Sequence, residues 1–191
     1  METQDGEGPG ADGKADTPYV RRGGFGHAMA ADPRDAEECK EAALRLLDAA
    51  DRPTGTLRAK LLERGYADGV VDGVIDRLVE LGLVDDEGYA ESVVRVCANR
   101  MMGERGTVME LVRKGVERPL AARVAAEAAA RGVFEDAAWE LGRSVAKRTR
   151  GLEPKVRKRR FWGAGARKGH DSATLGRVAN ALFGDGADEE E

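Results

Sequence analysis

The feature that most restricts the fold of this chain is a pair of glycines that recurs along it. The first glycine of the pair occurs three times, at spacings of 50 and 54 residues, as Gly65, Gly115 and Gly169. A second glycine follows each of them after 17 residues, at Gly82, Gly132 and Gly186. The offset of 50 also aligns residues 83–86 and Tyr89 with residues 133–136 and Trp139. Features that share one offset predict tandem supersecondary units.

Each unit is predicted to contain three short helices. In the first unit, an apolar face at helical spacing is formed by Val71, Val74, Ile75 and Leu78. Gly82 follows where a left-handed residue would end the helix, and Asp85 or Asp86 can cap the next one. The predicted helices cover 36–50, 55–64 and 68–81, then 87–101, 106–114 and 118–131, and finally 135–150, 154–168 and 172–183.

The composition favours helices over strands, because charged residues make up 35% of the chain and aromatic residues only 5%. We therefore expect an all-α fold of three tandem three-helix repeats, over 34–84, 85–134 and 135–184. Units of this size bury little alone, so they should form an elongated row that can curve. Residues 1–33 and the acidic end 185–191 lack apolar periodicity and are expected to be disordered, solvated tails.

Membrane proteins, secreted disulfide proteins and most enzymes are disfavoured. Residues 1–16 lack the basic start of a secretory signal, and no stretch approaches the roughly 18 apolar residues of a membrane span, so we expect a cytoplasmic protein. Cys39 and Cys97 are isolated and are interpreted as buried apolar residues, with no disulfide and no metal site. Phosphate-binding glycine loops and nucleophile elbows are missing, so we expect no enzyme activity and no cofactor.

The net charge of −4 hides an uneven distribution. Residues 34–98 hold 9 basic and 15 acidic side chains, whereas residues 99–184 hold 19 basic and 9 acidic ones. Between Arg143 and Arg160 there are nine Lys or Arg residues against the single Glu153. A solvated helix face would mix both signs, so this density predicts contact with a polyanion.

We take the following residues as candidates for contact with DNA or with a protein filament on DNA: Lys147, Arg148, Arg150, Lys155, Arg157, Lys158, Arg159, Arg160, Arg113, Lys114, Arg167 and Lys168. A plain charged surface is the alternative for the strip, and helix C-terminal capping is an adequate alternative for the last four. Phe161 and Trp162 could stack on a base, but positions in the core are favoured. The acidic run 85–87 is interpreted as a helix start and not as a Mg²⁺ or catalytic site.

The sequence resembles the RecX family. The resemblance is carried by RLVELGLVDDEGYAESVVR, from Arg77 to Arg95, with LLERGY at 61–66 before it and ELVRKGV at 110–116 after it. It extends over residues 36–183 and is closest in the first two units. It implies a modular, all-helical monomer that lies along the groove of a RecA filament on single- or double-stranded DNA and represses ATP hydrolysis, strand exchange and repressor cleavage.

The third unit departs from the family pattern. Residues 161–166, with the sequence FWGAGA, stand where a leucine-rich helix is expected, and His170 replaces an aromatic residue after the glycine. Gly costs about 1 kcal/mol relative to Ala inside a helix, so Gly163 and Gly165 are expected to weaken this helix.

Two other functions remain open from the sequence. The recurring helix, glycine turn and helix could form a helix-turn-helix DNA-binding regulator. In the first unit, the helix after the turn carries Asp68, Asp72 and Asp76, which would repel DNA phosphates. The second unit has Arg118 and Arg123 on the corresponding helix, so this repulsion is weaker there. A helical adaptor without DNA contact is the third possibility.

Overall fold

The computed structural model describes residues 29–184, and within that range the chain forms nine α-helices and no strand. The helices are α1 Ala36–Ala49, α2 Thr54–Glu63, α3 Asp68–Glu80, α4 Asp86–Asn99, α5 Glu104–Arg113, α6 Arg118–Ala130, α7 Val133–Arg148, α8 Pro154–Lys168 and α9 Ser172–Phe183. The all-α prediction is confirmed, and each predicted boundary lies within two residues of the observed one. Residues 1–28 and 185–191, with Gly186, lie outside the described residues.

The buried apolar side chains of the described range fall into three clusters that follow chain order. The first covers residues 39–84, the second 90–134 and the third 138–183. We call α1–α3 unit one, α4–α6 unit two and α7–α9 unit three; the domain boundaries at 84 and 134 stay predictions. Tyr89 and Trp139, predicted as core residues, are half-buried and pack against the second and third clusters.

The middle helix of each unit, α2, α5 or α8, ends in the same turn. Gly65, Gly115 and Gly169 have φ of 91°, 91° and 80°, a left-handed conformation that glycine adopts without strain. The glycine N–H donates to the carbonyl three residues earlier, and the next N–H donates five residues back, as in Tyr66 to Leu61 (3.4 Å) and His170 to Gly165 (3.1 Å). This is a Schellman motif, and it confirms the predicted role of the first repeated glycine.

The carbonyl just before each of these glycines receives a hydrogen bond from a segment that comes earlier in the chain. Lys114 accepts from Thr56 Oγ1 at 2.7 Å, and Lys168 accepts from the Gly103 N–H at 2.9 Å. The N-terminal end of α2 therefore meets the C-terminal end of α5, and the N-terminal end of α5 meets that of α8 in the same way. These contacts join the three units in a row.

In unit one the equivalent carbonyl, on Arg64, accepts from the Ala30 N–H at 2.8 Å. The Ala67 N–H also donates to Pro33 at 2.8 Å. Residues 29–33 are thus in contact with unit one, through Ala30 beside its core cluster and the backbone hydrogen bonds of Ala30 and Pro33. The extent of the N-terminal tail stays a prediction.

Unit three compensates for the glycines in α8, and the helix is continuous from Pro154 to Lys168. Gly165 occupies the place of the fully buried Leu61 and Leu111 in the other units. Ten residues further on, units one and two have buried Val71 and Ala121, whereas unit three has buried Leu175. A Cβ on Gly165 would overlap the Leu175 side chain. The large and small residues have exchanged places, a volume-conserving change that packed cores tolerate.

Two glycine substitutions in unit three test this packing. We expect Gly165→Ala to lower the free energy of unfolding by about 1–3 kcal/mol, because the buried Leu175 side chain fills the space that the new Cβ would need. Gly176→Ala is the matched control in α9, since a Cβ there meets nothing within 4 Å. It should raise the free energy of unfolding by up to about 1 kcal/mol through helix propensity alone. Urea denaturation measures both, and equal effects would contradict the exchange of volumes.

His170 lies in the junction between units two and three. Its Nε2 is 3.0 Å from the carbonyl oxygen of Met101, and its buried Nδ1 has no partner among the described residues. Burial of the ring lowers its pKa below the ordinary value, against smaller opposing effects of the Met101 carbonyl and Asp171. The imidazolium is disfavoured because its second N–H would be a buried donor without an acceptor.

The lowered pKa predicts a loss of stability in mild acid. As pH falls below about 6.5, the unfolded chain binds a proton that the folded chain resists, so folding becomes less favourable. The comparison is urea unfolding at pH 7.5 and 5.5 for the wild type and for His170→Phe, a range in which most carboxylates stay ionised. We expect a smaller loss of stability in the variant, and the same loss in both proteins would exclude His170 as its source.

Candidate functional site

The densest positive charge of the described chain lies on α7, on α8 and on the loop that joins them. At the C-terminal end of α7, Lys147 and Arg148 complement the negative end of the helix dipole. The first turns of α8 carry Lys155, Arg157 and Lys158, where positive charge opposes the dipole. The helix dipole therefore accounts for Arg167 and Lys168 in the last turn of α8, but not for the cations in its first turns.

A groove of about 460 Å³ lies between these two helices and brings four arginines together. Arg148 comes from α7, and Arg159, Arg160 and Arg167 come from α8. Gly163 and Ala164 also line the groove and leave room between the arginines. Within residues 29–184, none of the four forms an ion pair with a carboxylate, and none of the lining residues is acidic. The groove is thus a concave surface with uncompensated positive charge on both walls.

The other members of the predicted strip lie in different surroundings. Arg143 pairs with Glu140 at 2.6 Å, and Lys158 donates to Asn180 at 3.1 Å. Lys147, Arg150 and Lys155 are exposed. Within residues 29–184, only part of the strip therefore lies in the groove.

Arg157 faces inward, unlike the rest of the strip. It is only 8% exposed, and its guanidinium carbon lies 5.6 Å from the centre of the Phe183 ring. Phe183 in turn contacts the fully buried Phe161 at a ring separation of 5.3 Å. Phe161 is thus a core residue as predicted, and Trp162 is half-buried against the same cluster. Arg157 closes one side of this aromatic core.

The four residues of the Arg-Lys pairs that precede Gly115 and Gly169 have different partners. Arg113 forms two hydrogen bonds to Glu110, at 2.7 and 2.6 Å, and these bonds lower the pKa of that carboxyl. Lys114 is half-buried at the junction with unit one, and the Lys168 ammonium donates to the Arg100 carbonyl at 2.5 Å. Arg167 is the one member of the two pairs that lines the arginine groove.

Several contacts between distant residues were not visible in the sequence. Asp85 caps α4 as predicted, but the Asp86 carboxylate accepts from the Thr54 N–H at 2.8 Å and from its hydroxyl at 2.6 Å. Arg123 pairs with Glu87, which lies 36 positions earlier, at 2.9 Å. In the sequence, the only indication of the Asp86 contact is that Asp86 is not needed as a cap, because Asp85 alone caps α4.

The two cysteines and the possible metal ligands are the other candidate reactive groups of residues 29–184. Cys39 and Cys97 are buried free thiols, and burial raises the pKa of Cys39 to about 11. Residues 29–184 contain no group of three or more His, Cys, Asp or Glu side chains placed to hold a metal ion. None of the helices in the described range is long and apolar enough to cross a bilayer.

Comparison with known proteins identifies the family. The family model for the first three-helix domain of RecX matches residues 39–78. The regulatory protein RecX of Mycobacterium sp. (strain JLS) is 39% identical over 150 residues, which cover 74% of this chain and 80% of the relative. This chain belongs to the RecX family. The regulatory protein RecX of Mycolicibacterium smegmatis is 45% identical over 91 residues, or 47% of this chain and 48% of the relative.

The fold agrees with that of a solved RecX protein. The crystal structure of RecX from Lactobacillus salivarius superposes with a TM-score of 0.70, covering 78% of this chain and 96% of the other, at 21% identity. The nine helices of the described range therefore have the RecX fold.

The inward position of Arg157 in this RecX-family chain can be tested against the exposed position of Arg159. We expect Arg157→Gln to lower the free energy of unfolding by about 1–2 kcal/mol, because it removes the cation–π contact and uncovers Phe183. Arg159→Gln, at an exposed position, should change it by less than about 0.5 kcal/mol. Thermal unfolding followed by circular dichroism measures both variants, and indistinguishable melting temperatures would show that Arg157 does not support the core.

Proposed function

We propose that this RecX-family chain is a cytoplasmic, non-enzymatic regulator that binds the filament of a RecA recombinase on DNA. Binding inhibits ATP hydrolysis, strand exchange and repressor cleavage by the recombinase. The observation that carries the proposal beyond family membership is the groove of four arginines between α7 and α8. We assign this groove to the DNA phosphates of the filament.

The chemistry of the groove suits phosphate groups. Arginine presents planar sets of N–H donors that match the oxygens of a phosphate, and it stays charged at every physiological pH. Arg148 on one wall faces the same cavity as Arg159, Arg160 and Arg167 on the other. An anion between the walls would be contacted from two sides. A single DNA strand can be contacted in this way, whereas in a duplex only the outward side of each backbone is accessible.

The same residues argue for binding and against catalysis. A general acid or base must change its protonation near the working pH, and arginine does not. The one hydroxyl that lines the groove belongs to Thr149, and it donates to the Val145 carbonyl at 2.8 Å. The groove therefore holds an anion without a group that could react with it.

The helix-turn-helix alternative has less support in the contacts of its candidate recognition helices. In unit two, α6 carries Arg123, whose charge is compensated by Glu87 and Glu127. In unit one, Asp68 and Asp72 of α3 both pair with Arg58, at 2.8 Å each. Arg118 and Arg123 are the two arginines considered for a DNA-reading helix, and both are exposed. Only Arg118 lacks an ion pair among the described residues.

The test measures recombinase ATP hydrolysis on single-stranded DNA with increasing amounts of each protein. Arg159→Gln with Arg160→Gln should weaken inhibition and reduce the salt dependence of filament binding, by about 0.7 units of slope for each lost single-strand phosphate contact. Both residues are exposed, so the fold should survive.

The control is Arg118→Gln with Arg131→Gln, which removes the same charge from two exposed positions of α6 and its C-terminal end. We expect this control to inhibit as the wild type does. If the control loses potency and the groove variant keeps it, the helix-turn-helix alternative replaces the proposal. If the wild type leaves ATP hydrolysis unchanged at every concentration, the recombinase is not its target.

A further inference from the structure

The corner between α3 and α4 exposes apolar side chains that the fold holds in place. Val79, Leu81 and Leu83 are 46%, 50% and 51% exposed. The Gly82 N–H donates to Val79 at 2.9 Å, and the Leu83 N–H donates to Leu78 at 2.9 Å. These bonds form a Schellman turn with Gly82 at φ 68°, so the backbone of the corner is fixed. Three large apolar residues within five positions are therefore kept at the surface.

The repeat shows that the fold does not require this apolar character. At the offset of 50, unit two has Ala129, Arg131 and Val133 at the corresponding positions. Arg131 is exposed, and Val133 is partly buried against the second core cluster. A left-handed glycine, Gly132 at φ 81°, thus ends α6 with a small residue and a cation where unit one has Val79 and Leu81. The apolar side chains of Val79 and Leu81 are therefore not needed to end the helix at the glycine.

The corner is flanked by two clefts with carboxylates at their edges. On one side, a cleft of about 540 Å³ contains Val79 and Ile75, with four carboxylates against one cation: Asp72, Asp76, Glu80 and Glu117 against Arg58. On the other side, a cleft of about 380 Å³ contains Leu83, Leu47 and Tyr89, with two carboxylates against one cation: Asp51 and Asp85 against Arg52.

The acidic edge on the α3 side of the corner is also specific to unit one. Asp76 and Glu117 form no ion pair within the described residues, whereas Glu80 pairs with Arg77 at 2.9 Å. In unit two, the positions of Asp76 and Glu80 are occupied by Ala126 and Ala130. The carboxylates of α3 beside this corner are thus specific to unit one, whereas Asp85 has an acidic counterpart in Glu135.

We propose that this apolar corner, formed by Val79, Leu81 and Leu83 and the two clefts beside it, is a docking site for a partner protein. The segment that fits presents apolar side chains flanked by Lys or Arg, because apolar contact supplies affinity and the acidic edge selects positive charge. The same edge repels DNA phosphates and anionic lipids. Taking the partner to be the recombinase rests on the proposed function, and the corner then contacts protein while the arginine groove contacts DNA.

The first experiment uses immobilised recombinase without nucleic acid and the full-length chain. Leu81→Gln with Leu83→Gln should weaken binding at least about tenfold, as truncation of central apolar contacts does. The matched control is Val96→Gln with Met109→Gln, two apolar residues of unit two that are 46% and 64% exposed. The control should bind as the wild type does, and both variants should keep the binding of single-stranded DNA by the groove.

The second experiment tests the chemistry of the partner segment. Asp76→Lys with Glu117→Lys should weaken binding to the recombinase most at low salt, because it reverses the charge at the edge of the cleft. A set of overlapping synthetic peptides from the recombinase should show binding by peptides with Lys or Arg beside apolar residues. Those peptides should lose binding to the Leu81/Leu83 variant.

The outcomes separate the two proposals. If the wild type binds and inhibits the recombinase and the corner variants bind equally well, the docking site is wrong and the proposed function stands. If the wild type does not bind or inhibit, the proposed function is wrong. A second copy of this chain is the other possible occupant of the corner. Sedimentation of the chain alone tests it, because a dimer abolished by Leu81→Gln with Leu83→Gln would assign the corner to that second copy.

Discussion

The arrangement of this chain depends on one carbonyl oxygen in each unit, that of the residue before the repeated glycine. The Schellman turn satisfies two other carbonyls of the middle helix and leaves this one to find a donor elsewhere. Ala30, Thr56 and Gly103 supply that donor in the three units. An intramolecular hydrogen bond contributes about 0.5–1.5 kcal/mol, so each of these bonds favours contact between the helix end and the neighbouring segment. The bonds from Thr56 and Gly103 thereby help to hold the units in a row.

The sequence predicted the helices well because their boundaries are set locally, by apolar spacing, caps and glycines. It did not predict the contact of Asp86 with Thr54, which joins residues 32 positions apart. From the sequence, Gly165 was expected to weaken α8. Its compensation by Leu175 was not predicted, because it depends on how α9 packs against α8. The cations of the candidate site were predicted, but not that Arg157 turns inward while Arg159 and Arg160 line a groove. Successive helical residues point about 100° apart, so tertiary packing decides which of them share a surface.

Comparison of the three units distinguishes the features that the fold requires from the surface residues that differ between units. The glycine turns and the capped carbonyls recur in all three units, whereas the outer surfaces differ in kind. Unit one presents apolar side chains edged by carboxylates, and unit three presents arginines without acidic partners among the described residues. A single scaffold therefore carries two surfaces of opposite charge, and each can change without affecting the turns that hold the units together.

The end-to-end contact of the middle helices also gives the row an electrical direction. The negative C-terminal end of α8 meets the positive N-terminal end of α5, and the C-terminal end of α5 meets the N-terminal end of α2. Opposite partial charges largely cancel at these two contacts, which leaves a positive helix end at α8 and a negative one at α2. The side chains have the same polarity, since residues 34–98 are net acidic and residues 99–184 net basic. In the field of a polyanion the molecule is therefore turned so that unit three arrives first, before any contact forms.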